Sequence, residues 1–144
     1  MAEEQTYKNH VRWYPLFHFV VIPLLTLTFL SHLVRFFMAP SWALAFWAVL
    51  GLTLILLAFA SRLQALKAQD RVIRLEERLR YLELLSPELA KRARQLSTGQ
   101  VVALRFASDE ELPGLAERTL NGEFAKTKEI KQAIKNWRGD YLRV

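Results

Sequence analysis

The chain has 144 residues, no cysteine, and 20 lysines and arginines against 14 acidic residues, a formal charge of +6. The missing thiols exclude disulfides, thiolate metal sites and cysteine nucleophiles. The excess charge is divided as +1, +2 and +3 over residues 1–40, 61–85 and 86–144. No segment is therefore a basic tail of the kind that grips nucleic acid.

Apolar residues crowd into 16–60 and charges into 61–144. That split argues against one globule and for a membrane anchor joined to a polar part. Residues 1–15 read as a cytoplasmic juxtamembrane segment, whose Lys8, His10 and Arg12 are expected among anionic lipid headgroups. Pro15 suits the first turn of a helix, where a missing N–H costs nothing.

Two apolar stretches follow, residues 16–38 and 42–60, the first with Arg35 as its one charge and the second with none. About 20 residues cross roughly 30 Å of hydrocarbon, so both are long enough to span. The first is too long for the apolar region of a signal peptide. Only "APS" separates them, which predicts a tight helical hairpin in which Pro40 ends the first helix and Ser41 caps the second. Pro23 lies inside the first span and should kink it, leaving the carbonyl near Phe19 in need of a partner from a neighbouring helix or a side chain. Basic residues flank the hairpin on one side only: Lys8 and Arg12 before it, Arg62, Lys67, Arg71 and Arg74 after it. The positive-inside rule then puts both termini in the cytoplasm. Arg62 and Lys67 are expected at the inner headgroups, and Arg35 snorkels to the outer ones. Trp13 and Tyr14 suit the inner interface, and Phe36, Phe37 and Trp42 the outer.

His18 and His32 share the first span, 14 residues apart. On a helix they fall within about 40° of one face and roughly 21 Å apart. That spacing could serve two haems, each completed by a second copy of the chain, since the second span supplies neither His nor Met. The alternative is a pair of polar side chains hydrogen-bonded near the interfaces.

Residues 61–85, "SRLQALKAQDRVIRLEERLRYLELL", contain no Gly or Pro, so the second span should continue as one helix to about Leu85, about 66 Å in all. Val72, Leu75, Leu79 and Leu82 form an apolar stripe. It is expected to dock the chain's own following helices, with packing between subunits as the alternative. Asp70 with Arg74 and Glu76 with Arg80 are expected i,i+4 pairs. Lys67, Arg71, Arg74 and Arg78 make a basic stripe, expected to be solvated or to meet lipid or a protein partner. It has no aromatic interleaving, which argues against nucleic acid.

Residues 86–144 read as a small helical module. Ser86-Pro87 opens "PELAKRARQL", and a capping box of Ser97 and Gln100 opens "QVVALRFA". A second box, Ser108 with Glu111, opens "DEELPGLAERTL", which Asn121-Gly122 ends. Thr127 caps "KEIKQAIKNWRGDYL", which would place Lys128, Lys131 and Lys135 along one face. The expected core is Leu89, Leu96, Val101, Val102, Leu104, Phe106, Leu112, Leu115, Leu120, Ile130, Ile134, Trp137 and Leu142. A helix-turn-helix would need a basic recognition helix, whereas the candidate starts with Asp109, Glu110 and Glu111. No His follows residue 32 to activate a nucleophile, and no P-loop or Gly-rich loop exists.

The phrases "YKNHVRWYPLFHF", "ALKAQDRVIRLEERLR", "LRFASDEELP" and "EIKQAIKNWRGDYLRV" together resemble a bacterial family of small two-span membrane proteins of unknown function. The resemblance covers essentially the whole chain. It implies a bacterial inner-membrane location, and no activity or catalytic residue. The expected fold is all-α: a transmembrane hairpin, a long cytoplasmic helix continuing the second span, and a helical C-terminal module. The expected function is non-enzymatic and without a cofactor. The chain would act through protein contacts as an accessory or scaffolding subunit of a membrane assembly. A homo-oligomer that binds haem or conducts through His18 and His32 is the alternative, and a membrane-tethered nucleic-acid binder stands third.

Overall fold

A computed structural model describes residues 5–10 and 13–141. Among them the fold is all-α: a π-helical turn over Leu16–Val21, then α1 (Ile22–Met38), α2 (Trp42–Leu84), α3 (Pro87–Ala93), α4 (Thr98–Leu104), α5 (Leu112–Leu120) and α6 (Thr127–Ala133). Two compact units divide the chain. One holds the described residues of 12–66, the other those of 67–143 together with those of 1–11. Arg12 and Leu142, named above as a headgroup and a core candidate, lie outside the described residues.

In the unit of residues 12–66, the stretch Leu16–Met38 and the helix α2 are each long and apolar enough to cross a membrane. Pro23 has no N–H to give the backbone ladder. Just upstream of it the ladder is widened, the Ile22 N–H bonding Phe17 O, five residues back. Ala39 leaves the helical region at φ −144°. Ser41 then caps α2, its Oγ accepting the Leu44 N–H at 3.3 Å. The helices meet at Gly51, where a Cβ would lie 3.2 Å from Phe29 Cα, so any larger residue would need the neighbouring helix to give way. Phe17 and Phe59 pack edge to face at 5.9 Å. Phe19, Leu24, Leu27, Leu56 and Leu57 stay exposed.

In the other unit the start signals read from the sequence hold for α3 and α4. Ser86 accepts the Leu89 N–H, and Ser97 and Gln100 form the reciprocal capping box. Gly122, at φ +78°, ends α5. The Gly122 N–H bonds Thr119 O and the Glu123 N–H bonds Arg118 O, a Schellman closure that suits glycine at the left-handed position.

All four short helices cover less than the sequence suggests: α3 stops at Ala93 rather than Leu96 and α4 at Leu104 rather than Ala107. The segment expected to be helical from Asp109 forms a turn, and α5 begins at Leu112. Ser108 Oγ still accepts the Glu111 N–H at 3.4 Å. The Glu111 carboxylate does not return to Ser108 but accepts the N–H groups of Lys135 and Asn136, both at 3.1 Å. The helix expected over 128–142 with Thr127 as its cap instead begins at Thr127, with Lys126 at the N-cap position, and stops at Ala133. Beyond it the chain is extended: Ser108 N–H bonds Asn136 O, Arg138 N–H bonds Phe106 O, and Ala107 pairs with Trp137 as an isolated antiparallel bridge. The expected lysine face is therefore split. Lys135 lies off the helix, and Lys131 turns to His10 Nε2, 3.2 Å away, and over the Phe106 ring.

The core of this unit centres on Leu104, Phe106, Leu112 and Ile130, fully buried, with Leu96, Val101, Leu115 and Ile134 around them. Leu89, Leu120 and Trp137 pack on it half-buried. Alanines 93, 103, 107 and 116 complete it, as do Tyr81 and Leu85 from the long helix and its end.

Candidate functional site

The polar centre of the second unit lies where α2 meets the turn after α4 and the C-terminal segment. Glu77 and Arg80, one turn apart on α2, are buried to 4% and 9% exposure. Arg80 does not pair with Glu76, as i,i+4 spacing suggests, but with Glu77 at 3.1 Å and with Asp109 at 2.6 Å. Its second terminal nitrogen also donates to Ala107 O at 2.7 Å. Arg138 reaches the other Glu77 oxygen at 3.4 Å, and buried Arg105 pairs with Asp140 at 3.0 Å. Burial pushes the Glu77 carboxyl above its usual range, against the pull of Arg80, Arg138 and Arg105. Burial also raises the neighbouring Tyr81 phenol. These groups line an open groove of about 820 Å³. Glu77, Asp109 and Asp140 each face a guanidinium and lock elements together, while Glu76 and Glu83, which also line the groove, are exposed.

The N-terminal segment joins this unit. Gln5 is buried, its Oε1 accepting the Asp140 N–H at 2.8 Å. His10, expected among lipid headgroups, instead packs against Phe106 and Trp137, with ring centroids at 6.0 and 5.7 Å, and donates Nδ1–H to Tyr7 O. Aromatic packing, not lipid phosphate, satisfies that ring. No local sequence signal connects residue 10 with residue 106.

The apolar stripe of α2 is the larger correction. Val72, Leu75, Leu79 and Leu82 are 55%, 62%, 56% and 65% exposed. They do not dock the chain's own helices. That role falls to Ile73, Glu77, Arg80 and Tyr81, all buried, on the opposite side of the same helix. Arg71 and Arg78 are exposed and Arg74 is half-buried.

Within residues 12–66, Arg62 lies over the rings of Tyr14 and Phe17, at 5.8 and 6.0 Å from their centroids. Arg35 is exposed, as are Lys8 and Lys67 in the other unit. His18 Nδ1 lies 2.9 Å from Tyr14 O and 3.2 Å from Tyr14 N, whose N–H points at it, and His32 Nδ1 donates to Thr28 O at 2.8 Å. Their rings rest on Trp13 and Trp47 respectively. A carbonyl accepts only, so the His32 ring carries its proton on Nδ1 and its lone pair on Nε2, whereas His18 Nδ1 faces both the N–H and the carbonyl of Tyr14. Among the described residues no group of three His, Asp or Glu side chains is placed to hold a metal ion.

Fold and site together define an all-α protein with two helices of membrane-crossing length and a polar helical unit knitted by buried ion pairs. The chain belongs to a family of unknown function (DUF6526), whose model matches residues 1–144. No curated protein and no solved structure matches it.

Proposed function

We propose that this is a non-enzymatic integral protein of the bacterial inner membrane. Its hairpin anchors a cytoplasmic helical unit that acts through protein contacts, as an accessory or scaffolding subunit of a membrane assembly. One observation carries this reading: four large apolar side chains, Val72, Leu75, Leu79 and Leu82, stand exposed in a row on the polar part of α2. A soluble surface scatters such side chains, and a contiguous row marks a contact. The anchor is supported by the uncovered apolar surface of Leu16–Met38 and the first half of α2, which a core helix of a soluble protein would bury. The basic residues flanking the hairpin support the cytoplasmic placing of both termini.

The test is gentle extraction from native membranes, followed by mass determination of the intact complex and identification of its components. The reading expects a defined assembly. A monomer under conditions that preserve other membrane complexes overturns it.

The haem alternative keeps one observation in its favour. His32 donates Nδ1–H to the Thr28 carbonyl, an arrangement that fixes the ring and frees Nε2 for iron. Protein purified with haem supplied should then show a Soret band that His18→Ala and His32→Ala abolish. A colourless protein removes this alternative.

A further inference from the structure

The exposed stripe carries more information than exposure alone. Assigning heptad positions from it puts Ala68, Leu75 and Leu82 at d and Val72 and Leu79 at a. The g positions are then Arg71 and Arg78, and the e positions Gln69, Glu76 and Glu83, of which Gln69 is half-buried and both glutamates, like both arginines, are exposed. The helical unit packs onto the remaining positions: Ile73 and Arg80 at b, Tyr81 at c, Glu77 at f. In a two-stranded coiled coil those are the positions that face away from the partner strand. The chain thus covers the back of this helix with its own residues and leaves the a, d, e and g seam open.

We propose that the seam is occupied by the same seam of a second copy, in a parallel, in-register coiled coil over residues 68–83. Charge complementarity selects both the occupant and its direction. In a parallel pair each g residue faces the e residue five positions later on the other strand. Arg71 then meets Glu76 and Arg78 meets Glu83, on both sides of the seam. Antiparallel pairing sets g against g and e against e, so arginine would face arginine and glutamate glutamate. Val at an a position with Leu at d favours two strands over three. The stretch is short, and a free peptide of this length would associate weakly. Two copies held by identical hairpins in one bilayer offer their seams at the same height and in the same direction, at a high effective concentration. The inference rests on the reading that the polar unit acts through protein contacts, and names a second copy as the contact.

The chain has no cysteine, so single substitutions in the full-length protein report the geometry directly. In isolated membranes treated with a mild oxidant, Val72→Cys, Leu79→Cys and Leu82→Cys should each form a disulfide-linked homodimer. Lys67→Cys, at a c position, should not. Arg71→Glu with Arg78→Glu turns four attractive pairs into repulsive ones and should weaken association roughly ten-fold or more. Glu76→Arg with Glu83→Arg should do the same, and co-expression of the two charge-reversed chains should restore the dimer. All four positions are exposed, so folding is preserved, which an unchanged melting curve confirms. In membranes co-expressing Val72→Cys and Leu82→Cys chains, cross-links joining residue 72 to residue 82 but not like to like would overturn the parallel register. Absence of cross-links at the stripe while the native complex holds other proteins overturns the second copy as occupant and leaves the proposed function standing. A chain that neither cross-links nor co-purifies with any protein removes both.

Discussion

Glu77 shows how a charged residue becomes interior. It sits in a row of helix formers where nothing local distinguishes it from Glu76, yet it is buried and Glu76 is exposed. What decides is the arrival of Asp109 and Arg138 from 29 and 61 residues away, which neutralise the pair it makes with Arg80. Removing one member of such a set leaves a buried charge uncompensated. Arg80→Met should therefore destabilise the folded unit by about 3 kcal/mol, because Glu77 and Asp109 lose the guanidinium they share and Ala107 O loses its donor. Thermal melting followed by circular dichroism measures this, and an unchanged melting temperature would contradict the network's role. The pH dependence has a definite sign. The folded Glu77 carboxyl holds its proton more tightly than the unfolded one. Stability is thus fullest below the ordinary glutamate range and declines as pH rises through that range towards the raised folded value. Glu77→Gln should flatten this decline in a series of melts above pH 4.5. Tyr81 gives the opposite kind of prediction. Its hydroxyl is buried without a hydrogen-bond partner, so Tyr81→Phe should keep the fold and raise stability by about 1 kcal/mol. A loss of stability would mean that the hydroxyl is satisfied in solution.

Among the elements, those governed by local chemistry were legible in the sequence. The hairpin break at Pro40-Ser41, the capping box of Ser97 and Gln100, the Ser86 cap and the Gly122 closure each depend on residues within a turn of one another. The errors have a common physical origin in long-range pairing. Trp137 and Arg138 leave the helical pattern because Ala107 and Phe106 offer them an extended partner, and the Glu111 carboxylate takes the N–H groups just before them. The leucine stripe misled for the converse reason. Periodicity identifies an apolar face but not what covers it, and here ion pairs let a polar face be the buried one. The same limit applies within the hairpin, where the sequence does not reveal which small residue sits at the crossing. Gly51 is that residue, because a Cβ there meets the Phe29 backbone. Gly51→Leu should force α1 and α2 apart and lower the melting temperature in detergent by the equivalent of about 2 kcal/mol, with Gly51→Ala milder. Equal stability of the leucine variant would show that the two helices do not pack at this point.

At the scale of the whole molecule the asymmetry of charge is the strongest statement the chain makes. Two apolar helices of spanning length are joined at residues 39–41 by a link without charge, while basic residues crowd the far ends of both. An aqueous protein has no use for that separation, since water would solvate charges at either end equally. The proposed membrane placing gives it one, because retaining arginine and lysine on the cytoplasmic side would fix the direction of insertion. The absence of cysteine makes this orientation directly measurable. In intact cells with the outer membrane permeabilised, a membrane-impermeant thiol reagent should modify Ser41→Cys, at the tip of the hairpin, and spare Lys67→Cys. Permeabilising the inner membrane should expose both. The reverse pattern would put the polar unit outside the cytoplasm, and equal labelling in intact cells would mean that the hairpin does not cross the bilayer. Moving the charges should move the topology with them. Adding two lysines beside Ser41 while replacing Lys8 and Arg62 with glutamine lowers the bias that the rule depends on, and should make the labelling of positions 41 and 67 mixed.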